Sequence, residues 1–192
     1  HRDGRSAQLP NPHQRANHGA CFLSDALFVY LSDLPEGRCE LRLARAESDG
    51  RIWSRRVHGL TRHVMLSPAR LDDETVLLFE PEGRECRPLL LNPLTDEVVW
   101  RGPVMSQPRA RAAGGGVALW VDHADRLHGA TRDGALTIDA RCPAEALALS
   151  SDGARAGWVH DGALHVLDIE VGSIESQPVS PGVDTMVFRA TG

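Results

Sequence analysis

The sequence predicts an all-β protein built from repeated units, and three observations carry that prediction. First, the stretch 39–53, CELRLARAESDGRIW, returns 47 residues later at 86–100 as CRPLLLNPLTDEVVW. Cys39 matches Cys86, Leu43 matches Leu90, Asp49 matches Asp96 and Trp53 matches Trp100. Second, the runs 26–31 (ALFVYL) and 75–79 (TVLLF) precede the turns Pro35-Glu36-Gly37 and Pro81-Glu82-Gly83. Short runs rich in Val, Leu and aromatics, bounded by Pro and Gly, read as strands. Third, the second half repeats separately: 117–139 and 146–168 share the block DGAL, 28 residues apart. Asp133-Gly134 and Asp161-Gly162 are hairpin signals, because Gly accepts the positive φ of a tight primed turn.

A period in the forties marks an array in which each unit is one supersecondary element. A β unit of that length is about four short strands, the size of a propeller blade. Such a unit cannot bury both faces alone, so stacked neighbours bury them for it. The segment 89–102, LLLNPLTDEVVWRG, resembles the repeat of PQQ-type β-propellers, in which a strand, a turn and a second strand ending in Trp recur; 41–55 is similar. The turn departs from that pattern, since Thr95-Asp96-Glu97 has no Gly and only the first copy keeps one, Gly50. The resemblance implies that Trp53 and Trp100 dock one blade on another. The later copy, 146–168, is similar to a WD40-type blade, with Leu167-Asp168 where that family carries Trp-Asp.

Taken in order, residues 1–18 are polar and aperiodic, a predicted arm, and 19–192 hold the blades. The expected units are 21–57, 63–103, 116–142 and 145–178, followed by a lone strand at 183–188 (VDTMVF). Between the first two units, Ser67-Pro68 and the residues to Glu74 suit either one helical turn or an irregular loop. Residues 105–116, with three consecutive glycines, read as a flexible connection. The shorter spacing of the third unit predicts a reduced or missing outer strand. The unpaired last strand, the mixed blade types and the first residue, His1 rather than Met, predict a piece of a six- to eight-bladed ring. A closed four-bladed ring is the alternative. A partial array exposes strand edges that natural proteins cover.

Composition excludes several classes. All 21 basic residues are Arg, the net charge is −5, and acids and Arg are interspersed. No basic stripe for nucleic acid results, and no apolar run reaches the ~20 residues of a membrane span. The expected compartment is cytoplasmic. The cysteines, Cys21, Cys39, Cys86 and Cys142, form no Cys-x-x-Cys pair, so zinc-ribbon and redox-pair readings lack support. His1-Arg2-Asp3 matches a kinase catalytic triplet, but Gln8 stands where that motif needs Asn.

Candidate sites are few. His123 with His128, and His160 with His165, are pairs where zinc needs three or four ligands. Asp122, Asp125 and Asp133 lack the spacing of a calcium loop; turn chemistry accounts for them. Ser150 and Ser151 lie in no Gly-x-Ser-x-Gly elbow. No catalytic, cofactor or metal residue is therefore expected. Arg109 and Arg111, in the glycine-containing connection, suit a carboxylate or phosphate. With Asp122 and His123 they form the expected partner-binding loop. The predicted function is a non-catalytic interaction or scaffold module, whose partner is a protein or the remainder of the propeller. The alternatives are part of a quinoprotein-type enzyme, or a structural domain appended to an effector such as a protease or kinase. Fold alone does not choose among them.

Overall fold

The computed structural model describes residues 9–10, 15–61, 66–144 and 146–180, so the predicted strand at 183–188 lies outside the described residues. The chain divides into two compact units, His1–Arg101 and Gly102–Gly192. Each unit contains two four-stranded antiparallel sheets, and in every sheet the strands lie side by side in chain order.

In the first unit, sheet 1 runs β1 (Asn17–Phe22), β2 (Leu27–Asp33), β3 (Cys39–Ala46) and β4 (Ile52–Leu60). Sheet 2 runs β5 (Ala69–Arg70), β6 (Val76–Glu82), β7 (Glu85–Asn92) and β8 (Glu97–Arg101). The two repeat copies are thus the third and fourth strands of each sheet. β1 begins inside the predicted arm, and the stretch read as a helical turn or loop supplies the two-residue β5.

Alternation decides which side chains meet. Val29, Leu31, Cys39, Leu41 and Leu43 share one face of sheet 1 and pack on Val76, Leu78, Leu89 and Leu91 of sheet 2. Successive strand residues point to opposite faces, so Phe28, Tyr30 and Ala44 form a separate cluster on the other side of sheet 1, with Leu9 and Ile52 against it. Arg55 bolts sheet 1 to the β7–β8 turn. Its guanidinium is 2.6 Å from Asp96 and donates to the carbonyls of Pro93 and Leu94, each at 2.8 Å. Farther along β4, His58 is 3.0 Å from Glu80 of β6.

In the second unit, sheet 3 runs β9 (Ala110–Gly114), β10 (Val117–Val121), β11 (Leu127–Thr131) and β12 (Gly134–Leu136). Sheet 4 runs β13 (Ala148–Leu149), β14 (Arg155–His160), β15 (Ala163–Asp168) and β16 (Ile174–Pro178). Leu119, Val121 and Leu127 of sheet 3 pack with Ala156, Trp158 and Leu167 of sheet 4, and Cys142 and Ala144 complete that core. The outermost strand of sheet 3 has three residues.

The glycine-rich stretch expected to be flexible is instead a strand and a tight hairpin. Gly114 pairs with Val117, leaving the two-residue loop Gly115-Gly116 with φ of 56° and 81°. Positive φ at both central residues is the primed turn that matches strand twist. Asp161-Gly162 makes the same kind of turn between β14 and β15, with φ of 49° and 71°.

The repeat tryptophans both lie on edge strands. Trp53 lies on the edge strand β4 opposite Arg45 and is 50% exposed; it rims the sheet rather than filling a core. Trp100, on the edge strand β8, is partly buried. Leucines dominate the sheet 1–sheet 2 core, while the indoles buried in the second unit are Trp120 and Trp158. Cys39, Cys86 and Cys142 are buried, and Cys21 is partly so. Burial pushes the thiols of Cys86 and Cys142 up to about 11 and about 12, so they behave as small apolar groups.

Candidate functional site

Three of the four residues expected in a partner-binding loop are brought together at one end of sheet 3, Arg111 on β9 and Arg109 and Asp122 just beyond the strand ends. Arg111 pairs with Trp120 across β9 and β10, and Trp120 pairs with His128 across β10 and β11. Cross-strand partners share a face, so these three form a row. Arg109 and Asp122, each two positions from a row member, extend it towards the β10–β11 turn. His123 is separated from them, exposed in that turn.

The row is internally compensated. Arg109 is paired with Asp125, which takes φ of 62° in the turn. Asp122 Oδ1 accepts from the backbone nitrogens of Ala124 at 2.8 Å and Arg126 at 2.9 Å, while Oδ2 is 2.9 Å from His128 Nε2. The His128 ring stacks on Trp120 with centroids 6.0 Å apart. Trp120 Nε1 donates to the Met105 sulfur at 3.1 Å. These contacts shape a turn in which Arg109 is matched by Asp125 and Asp122 by His128.

Burial of Asp122 pushes its carboxyl upward, but hydrogen bonds from His128, Arg126 and Ala124 outweigh it and hold the group below the usual carboxylate range. A lowered folded-state value means that the unfolded chain binds the proton first as pH falls. The contribution of Asp122 is complete above its unfolded value of about 3.9 and is lost as pH drops through the folded value. Asp122→Asn is expected to flatten the acid limb of a stability-versus-pH curve below about pH 4. An unchanged limb in denaturant titrations would refute this.

Sheet 4 carries a second Trp-His pair. Trp158 faces His165 across β14 and β15, with ring centroids 5.5 Å apart, and His165 Nδ1 lies 2.8 Å from Ser176 Oγ. His160 instead lies beside Asp161, at 3.2 Å. Among the described residues, no three His, Cys, Asp or Glu converge as a metal would require.

A feature that sequence reasoning missed lies in the first unit. The β1–β2 turn tucks Leu23 into the core and leaves Phe22 60% exposed. Leu23 and Ser24 donate backbone hydrogen bonds to the Leu27 carbonyl at 2.8 and 3.0 Å, and Ser24 Oγ accepts from Leu27 N at 3.2 Å. The β5–β6 turn follows the same plan: Leu71 is buried and donates to the Thr75 carbonyl at 2.9 Å. Between these turns runs an open groove of about 750 Å³, lined by Phe22, Leu23, Asp25, Arg70 and Asp73, among others. The only hint in the sequence was an aromatic residue two positions before Ser24-Asp25.

No family model matches the sequence, and no curated protein matches it. Solved structures do resemble its fold. TolB from Acinetobacter baumannii is 13% identical over 88% of this chain and 45% of its own, with a TM-score of 0.54. The uncharacterized protein lmo1340 from Listeria monocytogenes is 11% identical over 91% of this chain and 57% of its own, with a TM-score of 0.63. The tricorn protease is 11% identical over 88% of this chain and 18% of its own, with a TM-score of 0.56. At such identities the likeness concerns the fold: four four-stranded antiparallel blades of the β-propeller class. This chain spans only part of each of those chains.

Proposed function

We propose that this chain is a non-catalytic interaction module, a run of propeller blades within a larger protein or complex that docks a protein partner through its turns. The observation that supports it most is the groove between the β1–β2 and β5–β6 turns, where Phe22 remains exposed beside a polar wall. Binding residues concentrate on loops held by a rigid scaffold, and a concavity of this size accommodates several side chains.

A second reading is favoured by the neighbours. The tricorn protease, and a puromycin-hydrolyzing peptidase from Mycobacterium tuberculosis with a TM-score of 0.56 at 17% identity, are named as peptidases and are several times the length of their matched parts. In that reading these blades belong to a hydrolytic protein and direct its substrate. Incubating the purified chain with a displayed library of random peptides separates the outcomes. Saturable binding of peptides that mass spectrometry finds intact is expected. Cleavage of the bound peptides would overturn the non-catalytic reading, and absence of saturable binding would overturn the interaction module.

A further inference from the structure

We infer that the Phe22 groove docks an extended segment of a partner protein in which an apolar side chain is followed by cationic ones. This rests on the interaction-module reading above and names the ligand of that same site.

The apolar half of the argument comes from the row of which Phe22 is the open end. Phe22 pairs with Phe28 across β1 and β2, their ring centroids 5.3 Å apart, and Phe28 lies 6.2 Å from Tyr30. Phe28 and Tyr30 are buried, and Leu9 packs on their cluster. Next to Leu9, the Pro10 carbonyl accepts from the Tyr30 hydroxyl at 2.9 Å and from Asn17 Nδ2 at 3.3 Å. A Leu-Pro segment therefore already occupies the buried part of this face. It shows what the face accepts: an aliphatic side chain over aromatic rings, and a backbone carbonyl facing a phenol. Phe22 continues the same surface into the open groove.

The register shows that this exposure is not demanded by the fold. Phe22, the last residue of β1, pairs with the second residue of β2; the corresponding last residue of β5 is Arg70, paired with Val76. A hairpin of this plan is compatible with an arginine there, so the exposed ring of Phe22 is a feature of its own. Large exposed aromatics are disfavoured on free surfaces and enriched at the centres of interfaces.

The charge half comes from the turns. Asp25 of the β1–β2 turn and Asp73 of the β5–β6 turn line the groove together with Arg70. Arg70 is already paired with Asp73. The local potential is therefore negative, which attracts a cationic partner and repels an acidic one. Apolar contact with Phe22 supplies affinity, and the carboxylates supply orientation and salt dependence.

The test uses two pools of fluorescein-labelled peptides and the full chain. In one pool a Leu, Ile or Phe is followed at varied spacing by two Arg; in the other, Glu replaces each Arg. Fluorescence polarisation is expected to show saturable binding of the Arg pool only, weakening as salt rises. Phe22→Ala and, separately, Asp25→Lys are each expected to weaken binding at least about tenfold. Both positions are exposed, so the variants are expected to melt with the parent protein. Equal binding of the Glu pool, or Arg-pool binding indifferent to both substitutions, overturns the groove assignment. If random peptides bind the chain but ignore both substitutions, the groove fails while the interaction module stands. If no peptide binds at all, both fail.

Discussion

Replacing Gly115 by Ala is expected to destabilise the second unit severely, while the same change one residue later is expected to be mild. A Cβ on Gly115 would sit 2.2 Å from the backbone carbon of Asp152 and 2.2 Å from the nitrogen of Gly153. Those atoms belong to the β13–β14 turn and cannot rotate away as a side-chain tip would. From the other side, a Cβ on Gly153 would meet the Gly115 carbonyl oxygen at 2.6 Å. The two turns thus touch backbone to backbone, and only glycine permits the approach. Overpacking costs about 1–3 kcal/mol and sometimes more, and a non-glycine residue in the left-handed region costs roughly 1–2 kcal/mol. Gly116 has a φ of 81° but nothing within 4 Å of its would-be Cβ, so Gly116→Ala carries only the second cost. For a chain of this size the difference corresponds to a melting temperature lower by on the order of 10 °C in Gly115→Ala. If the two variants melted together, the close approach of the turns would be refuted.

The same glycines show where sequence reading succeeds and where it stops. The β strands of the repeat were legible because alternating apolar residues bounded by turn residues encode them directly. The strand β9, ARAAG, has no β-branched or aromatic residue; it is a strand because β10 pairs with it. Composition says that three glycines are flexible, whereas two positive φ values in a two-residue loop say that they are required. A tertiary contact 37 residues away then fixes one of them. None of this is periodic, so no pattern in the chain reports it.

The candidate site was legible to a similar degree. Arg109, Arg111 and Asp122, read together as part of a partner-binding loop, lie close to one another, because a short connection keeps them close whatever its conformation. His128 and His165 were weighed only as members of histidine pairs, and their stacking on Trp120 and Trp158 was not foreseen. Trp120 and His128 are joined by a five-residue loop, Trp158 and His165 by a two-residue one. The two pairs therefore fall out of step in sequence while coinciding in strand register. Phe22 was missed for a different reason: whether a turn residue points into the core or out of it depends on which of two adjacent apolar residues, Phe22 or Leu23, the turn buries.

That distinction between matched position and burial also decides which tryptophan matters most. Trp158→Ala is expected to cost about 3–5 kcal/mol, the usual range for removing a large aromatic from a core. Its indole is 2% exposed and packs with Ala156 and Leu167 of its own sheet and with Leu119, Val121 and Leu127 of sheet 3. The surrounding turns are pinned backbone to backbone at Gly115 and Gly153, so the walls have little freedom to collapse into the space left behind, and the cost belongs at the upper end. The His165 ring stacked on it would also lose its partner. Trp53→Ala removes a side chain of the same size from the edge of sheet 1, where half of its surface already meets water, and is expected to cost under about 1 kcal/mol. Chemical denaturation of the two variants beside the parent measures both. A Trp53 variant as unstable as the Trp158 variant would overturn this ranking.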